Sequence, residues 1–185
     1  MNQTQEDVTA MIATLLETAK KTRESFMYSG DEKMIPMALI YGEGVTMMMM
    51  DWKDNKSKYQ MAAMANLEAR KTHAKSLSFV TDSRWVQSAK FCEYFKIDPP
   101  QPNGIEAFQR DYHRILAGHG GEIKNFPREI WEEAVVVFTN GPGIPITIQI
   151  APYKEGPNDT IEWLPRNPQG PDTRGKSDLL TDWWA

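Results

Sequence analysis

Residues 144–150 read Ile-Pro-Ile-Thr-Ile-Gln-Ile, a strict alternation of isoleucine with Pro145, Thr147 and Gln149. Successive side chains of a strand point to opposite faces, so this spacing fits a β-strand with one apolar face and excludes a helix. The neighbouring residues supply its partners. Ala134 to Thr139 is an apolar run that reads as a buried strand, and Asn140-Gly141-Pro142-Gly143 between the two is a tight turn. Lys154 to Asp159 makes a second turn before a short strand from Thr160 to Leu164. This part of the chain is an antiparallel meander with one wet face.

Earlier residues follow a different period. Val8, Met11, Ile12, Leu15, Leu16 and Ala19 recur at helical spacing, and the stripe predicts a helix over 5–28. Thr4 and Asp7 suit a capping box before it, and Gly30-Asp31 end it. Apolar runs at 35–41 and 45–51 flank Gly42-Glu43-Gly44 and predict a hairpin. Met47 to Met50 put methionine on both faces of the second strand, which then needs cover on both. Unbranched core filler explains this run better than a metal site, because thioether sites alternate with other ligands.

Residues 56–72 favour helix, and Met61, Ala62, Ala65 and Ala69 form a small-residue stripe suited to close approach to a sheet. Asp54 or Asn55 suits its N-cap. Leu77 to Thr81 follows as a strand, which implies a parallel, right-handed crossover from the strand before the helix. Residues 84–130 hold a plain break, Asp98 to Gly104, and one helix at 105–117. They read as an insertion that is either a lid or packing for one face of the sheet.

Helix, hairpin, helix, strand, insertion and meander predict an α+β domain over 1–164 with a mixed, mostly antiparallel sheet. A Pro-spaced tail, 165–185, follows it. The element order resembles the αββαβββ order of roadblock-like and profilin-like domains, in order alone and with no shared motif. A likeness of that kind does not carry function.

Composition narrows the class. With 185 residues, 41% of them hydrophobic and 25% charged, the chain is globular and long enough to bury a core. A single cysteine, Cys92, excludes an internal disulfide and favours a reducing compartment. The first residues lack the basic and apolar regions of a signal peptide, and no apolar run approaches the roughly 18–20 residues that span a bilayer. A soluble, cytoplasmic protein is the expectation. A net charge of −4 argues against nucleic acid as a partner, and Asp54 interrupts the cluster of Lys53, Lys56 and Lys58. No cofactor or metal is expected. Gly141-Pro142-Gly143 lacks the lysine and helix of a phosphate loop, and His73, His113 and His119 provide no close ligand set.

Two groups of residues remain as candidates for function. Asp51 and Asp82 fall at the carboxyl ends of the two parallel strands, where open sheets place sites, and Ser83 and Arg84 follow Asp82. Paired carboxylates beside an arginine suit acid–base work or a divalent cation. The competing role is local, because an Asp at a strand end caps turn amides. The strands must be neighbours for the carboxylates to meet. A roadblock-like order would put them on opposite edges, roughly 19 Å apart at about 4.8 Å per gap. Ser83 lacks the Gly-x-Ser-x-Gly elbow of a hydrolase nucleophile.

The second group is Leu179, Leu180, Trp183 and Trp184, an aromatic tip behind a linker spaced by Pro165, Pro168 and Pro171. Apolar surface on such a tip marks a contact site, and the tail reads as a tether carrying a partner-binding anchor. The preferred functional reading is a non-catalytic self-associating or protein-interaction module. The alternative is a small enzyme or ligand-binding domain built on Asp51, Asp82, Ser83 and Arg84.

Overall fold

The stripe through Leu15, Leu16 and Ala19 folds as α1, Gln5–Tyr28, and buries those three side chains. The computed structural model describes residues 5–28, 34–51, 54–100 and 105–165. The capping residue proposed at Thr4 and the stop at Gly30-Asp31 lie outside them. The hairpin forms as β1, Met37–Tyr41, and β2, Val45–Met49, with Met37 opposite Met49 and Tyr41 opposite Val45.

Asp54 starts α2, Asn55–Lys71, through a capping box. Its carboxylate accepts from the Ser57 amide at 2.7 Å, and the Asp54 amide donates to Ser57 Oγ at 3.1 Å. The Ser57 amide, together with the Ser57 hydroxyl that also donates to the carboxylate at 2.8 Å, holds the Asp54 carboxyl below its ordinary pKa. The small-residue stripe seats as its composition suggests. Ala62, Ala65 and Ala69 are buried against Ala38, Ile40, Leu77 and Phe79 of the sheet.

The remaining elements are β3 (Ser76–Val86), α3 (Ser88–Phe95), α4 (Ile105–Gly118), β4 (Trp131–Gly141), β5 (Ile144–Glu155) and β6 (Ile161–Trp163). The fold is α+β, with a six-stranded sheet in the order β2-β1-β3-β4-β5-β6. β1 runs antiparallel to both β2 and β3, so β2 and β3 are parallel to each other with β1 between them.

This order makes the strands at 45–51 and 77–82 neither neighbours nor the opposite edges that a roadblock-like order would give. β2 is an edge, but β3 is the third strand. The reason is burial: every residue from Ser76 to Thr81 is buried, which requires sheet neighbours on both sides and a layer on each face. β4 lies beside β3 with Ser78 Oγ 2.7 Å from Thr139 Oγ1. Gly141 packs so closely on this neighbour that a Cβ there would run into the Lys75 carbonyl and lie 3.1 Å from Ser76 Cα.

β5 is longer than the alternation of isoleucines suggests, and it has no wet face. Thr147 and Gln149 are buried, while the isoleucines on the opposite face are half-buried, because both faces of the inner strands are covered. Tyr153, Lys154 and Glu155 pair with Trp163, Glu162 and Ile161, and the turn contracts to 156–160. Asn158 and Asp159 take the left-handed conformation, φ 60° and 56°, which these two residue types tolerate.

The chain divides into two compact units. One comprises residues up to Ser83 and from Val135 onward, and the other runs from Arg84 to Ala134. In the first, α2 covers one face of the sheet. The other face buries Val80, Val135, Val137 and Tyr153 in a core with Leu15, Leu16 and Ala19 of α1. The second unit has its own aromatic core of Phe91, Phe126, Ile130 and Trp131, joined by Phe95, Phe108 and Tyr112. Its α3 was not anticipated. Eight residues give little periodicity, and Gln87 at the N-cap makes no side-chain bond to the helix.

Candidate functional site

Asp82 sits in a buried ionic network rather than an open cleft. Arg23 of α1 is fully buried, and its Nε lies 2.7 Å from Asp82 Oδ2 and 3.1 Å from the Tyr153 hydroxyl. The Tyr153 hydroxyl donates to Asp82 Oδ1 at 2.7 Å, and Arg23 Nη2 donates to Glu155 Oε1 at 3.2 Å. The Asp82 side chain is 5% exposed and that of Glu155 52%, so Asp82 is the buried partner of the pair.

Burial pulls the Arg23 pKa down. The Tyr153 hydrogen bond and the charges of Asp82 and Glu155 outweigh that pull and hold it above its ordinary value. Burial, reinforced by Asp82, pushes the Tyr153 phenol far above its ordinary range. The network therefore sets one cation, Arg23, against the buried Asp82 and the half-exposed Glu155, around a neutral phenol. It ties α1 to β3 and β5.

The other candidates go elsewhere. Ser83 Oγ lies 2.9 Å from Thr81 Oγ1. Residues 81 and 83 share a face of β3, while residue 82 projects from the opposite one. Arg84 belongs to the second unit, where it lies 3.5 Å from Glu133 and 5.5 Å from the Trp131 ring centre. Asp51 is exposed, two residues beyond the end of β2.

Across β1, Met49 aligns with Val80 through their shared partner Met37. Asp51 thus falls level with Asp82 but two strand gaps away, about 10 Å. The strands are not neighbours, and the Asp82 carboxylate is already engaged by Arg23 and Tyr153. No group of three or more His, Cys, Asp or Glu side chains stands together as a metal site among the described residues. Leu179, Leu180, Trp183 and Trp184 lie outside the described residues.

Arg23 and Tyr153 were missed in the sequence, although a signal existed. Arg23 falls seven residues after Leu16 and four after Ala19, so it continues the buried stripe of α1. A cation in that position requires a buried counter-charge.

The other unusual feature is the β2 edge. Val45, Met47 and Met49 are 62%, 59% and 45% exposed, although a strand apolar on both faces was expected to be covered on both. Their register partners are Tyr41, Leu39 and Met37, so they extend the α1-side face of the sheet as an uncovered ledge. The opposite face of β2 meets α2 across a groove of about 310 Å³ lined by Thr46, Met48, Met64, Leu67, Glu68 and Lys71. Met64 and Leu67 are 60% and 52% exposed.

The backbone of β2 also faces outward at defined residues. Met50 N–H donates to the Pro36 carbonyl at 2.7 Å, and Gly42 N–H donates to the Gly44 carbonyl at 2.8 Å. Antiparallel ladders alternate between bonded and non-bonded pairs. Gly44, Thr46, Met48 and Met50 therefore turn their amides and carbonyls toward β1. Val45, Met47 and Met49 turn theirs to the open side of the sheet.

No family model, curated protein or solved structure matches this chain. Function has to be read from its own residues, and among those described no catalytic motif is present. No helix among them is long and apolar enough to cross a membrane.

The two sheet edges differ in a way that matters for contact. β6 has three residues, carries the exposed Glu162, and is anchored to α1 by Trp163. The Trp163 indole donates to Glu24 at 2.6 Å, and Lys20 lies 5.0 Å from the ring centre. A short charged edge discourages pairing with another chain. β2 has neither protection, because Val45 to Met50 contain no charge and no proline.

Proposed function

We propose that this chain is a non-catalytic, self-associating interaction module that docks through β2. One observation carries the reading: an edge strand with free backbone groups presents Val45, Met47 and Met49 to solvent on one face. Exposed apolar surface joined to an open strand edge is the surface property of an interface. Homo-oligomers are the commonest way in which soluble chains cover such a surface. Leu179, Leu180, Trp183 and Trp184 enter the same reading as a second anchor.

The test is the mass in solution. Light scattering across a size-exclusion peak at micromolar concentration should give a multiple of 21.1 kDa. Met47→Lys should return it to the single-chain mass without changing its circular dichroism, because residue 47 is 59% exposed. A single-chain mass for the wild type rejects the proposal.

The alternative reading, an enzyme or ligand-binding domain on Asp51, Asp82, Ser83 and Arg84, has less support. Asp82 is neutralised by Arg23, Ser83 is bonded to Thr81, and Asp51 stands apart. Calorimetric titration with divalent cations tests it directly. Heat that is lost in Asp82→Asn would favour this reading over self-association alone.

A further inference from the structure

We infer that the docked partner is a second copy of this chain, joined β2 to β2 across a two-fold axis perpendicular to the sheet, with Met47 opposite Met47 of the partner subunit. This rests on the self-association reading and specifies its geometry.

The backbone already sets the requirement. Within β2, Val45, Met47 and Met49 offer their amides and carbonyls at the open edge, as the bonds Met50 N–H to the Pro36 carbonyl and Gly42 N–H to the Gly44 carbonyl require. The same three residues carry the exposed apolar side chains of the strand. In an antiparallel pair, residues directly opposite each other share a face. A perpendicular two-fold therefore merges the two ledges into one apolar strip instead of placing one copy's ledge against the other's groove.

Several registers satisfy this parity. The one centred on Met47 pairs all five residues of Val45–Met49 with no overhang. Met47 then meets Met47 of the partner subunit, Val45 meets Met49, and Thr46 meets Met48. On the opposite face the junction brings together the two grooves between β2 and α2, with their exposed Met64 and Leu67. A stable interface buries about 1,200 Å² or more, which exceeds what a five-residue strand pair covers alone. The α2 side chains supply the additional contact area.

Symmetry favours a copy over an unrelated chain because a two-fold sets like residues near like residues. That is tolerable only where the strand is uncharged, as it is from Val45 to Met50. The charges begin just outside, where Glu43 of one copy would oppose Asp51 of the other. Association through this register should therefore tighten as salt rises, since screening relieves that repulsion.

Cysteine pairing under mild oxidation tests the register in the full-length protein. The sole native thiol, Cys92, is buried, so the wild type serves as the uncoupled control. Met47→Cys should couple to itself. Val45→Cys and Met49→Cys should couple to each other when mixed, and neither should couple to itself, because like positions would lie roughly four residues, about 13 Å, apart.

Self-coupling of Val45→Cys or Met49→Cys in preference to Met47→Cys overturns this register. If the wild type still scatters as a multimer that Met47→Lys dissolves, the broader self-association reading survives. A wild type that scatters as a single chain overturns both. Dissociation on raising salt from 0.05 to 0.5 M also counts against the register.

Discussion

Replacing Arg23 by methionine isolates what the buried network contributes. Methionine retains the length of the stem and removes the charge that faces Asp82 at 2.7 Å. Asp82 is then left with only the Tyr153 hydroxyl, in a site where its side chain is 5% exposed. Breaking a buried pair by removing one partner costs about 3–5 kcal/mol, because the remaining charge keeps its desolvation penalty. That is a large share of the roughly 5–15 kcal/mol that holds an ordinary domain together. For a chain of this size each kcal/mol moves the melting point by roughly 2–4 °C, so a drop of about 6–20 °C is expected. Urea unfolding followed by circular dichroism measures the loss.

Two companion variants make that result specific. Glu155→Gln should cost at most about 1 kcal/mol, because its carboxylate is half exposed and screened by solvent. Asp82→Asn placed on Arg23→Met should restore much of the stability, since a neutral amide can still accept from Tyr153 and needs no counter-charge. An Arg23→Met loss below about 1 kcal/mol would refute the reasoning. So would a double variant no more stable than Arg23→Met alone, because the cost would then come from lost packing.

Two further outcomes are expected. The Tyr153 phenol has its pKa raised in the folded chain, chiefly by burial, so its stabilisation is complete below the unfolded value near 10 and is lost as pH rises above it. Tyr153→Phe should reduce the alkaline fall in stability by up to about 1.4 kcal/mol per pH unit, measured by urea unfolding between pH 9.5 and 11. Deleting residues 177–185 tests the aromatic tip. Burial of two tryptophans and two leucines is worth at most about 11–18 kcal/mol against about 8–16 kcal/mol of backbone ordering, so marginal docking is the expected outcome. A lower melting point or a weaker multimer is expected, and a truncated chain unchanged in both would show that the tip takes no part.

The legible parts of the fold were those set by local pattern. The stripe Leu15-Leu16-Ala19, the glycine-flanked hairpin, the alanine face of α2 and the alternation through Ile150 each involve side chains within a few residues of one another. Each led to the right element. Boundaries moved where a distant partner set them. β5 runs to Glu155 because β6 is there to pair with it, and β3 exceeds its apolar run of Leu77 to Val80. α3 was illegible because eight residues hold too few turns for a period to show.

The candidate site was less legible because its defining property is position in the sheet. Met47 to Met49 do form a strand apolar on both faces, with Met50 just beyond its end, and such a strand in the interior would be covered on both. The chain could not reveal from local pattern that β3 would take the inner side of β1 and leave β2 at the edge. Strand order follows from the long-range match of Leu77 and Phe79 with Ile40 and Ala38. Asp82 shows the same limit in reverse. Its place after a strand suggested an open carboxylate, but the residues that occupy it, Arg23 and Tyr153, lie 59 and 71 positions away in the sequence. The pattern that identified a site at Asp82 therefore located a structural tie. The pattern that suggested core at Met47 located exposed surface, and both outcomes follow from β1 lying between β2 and β3.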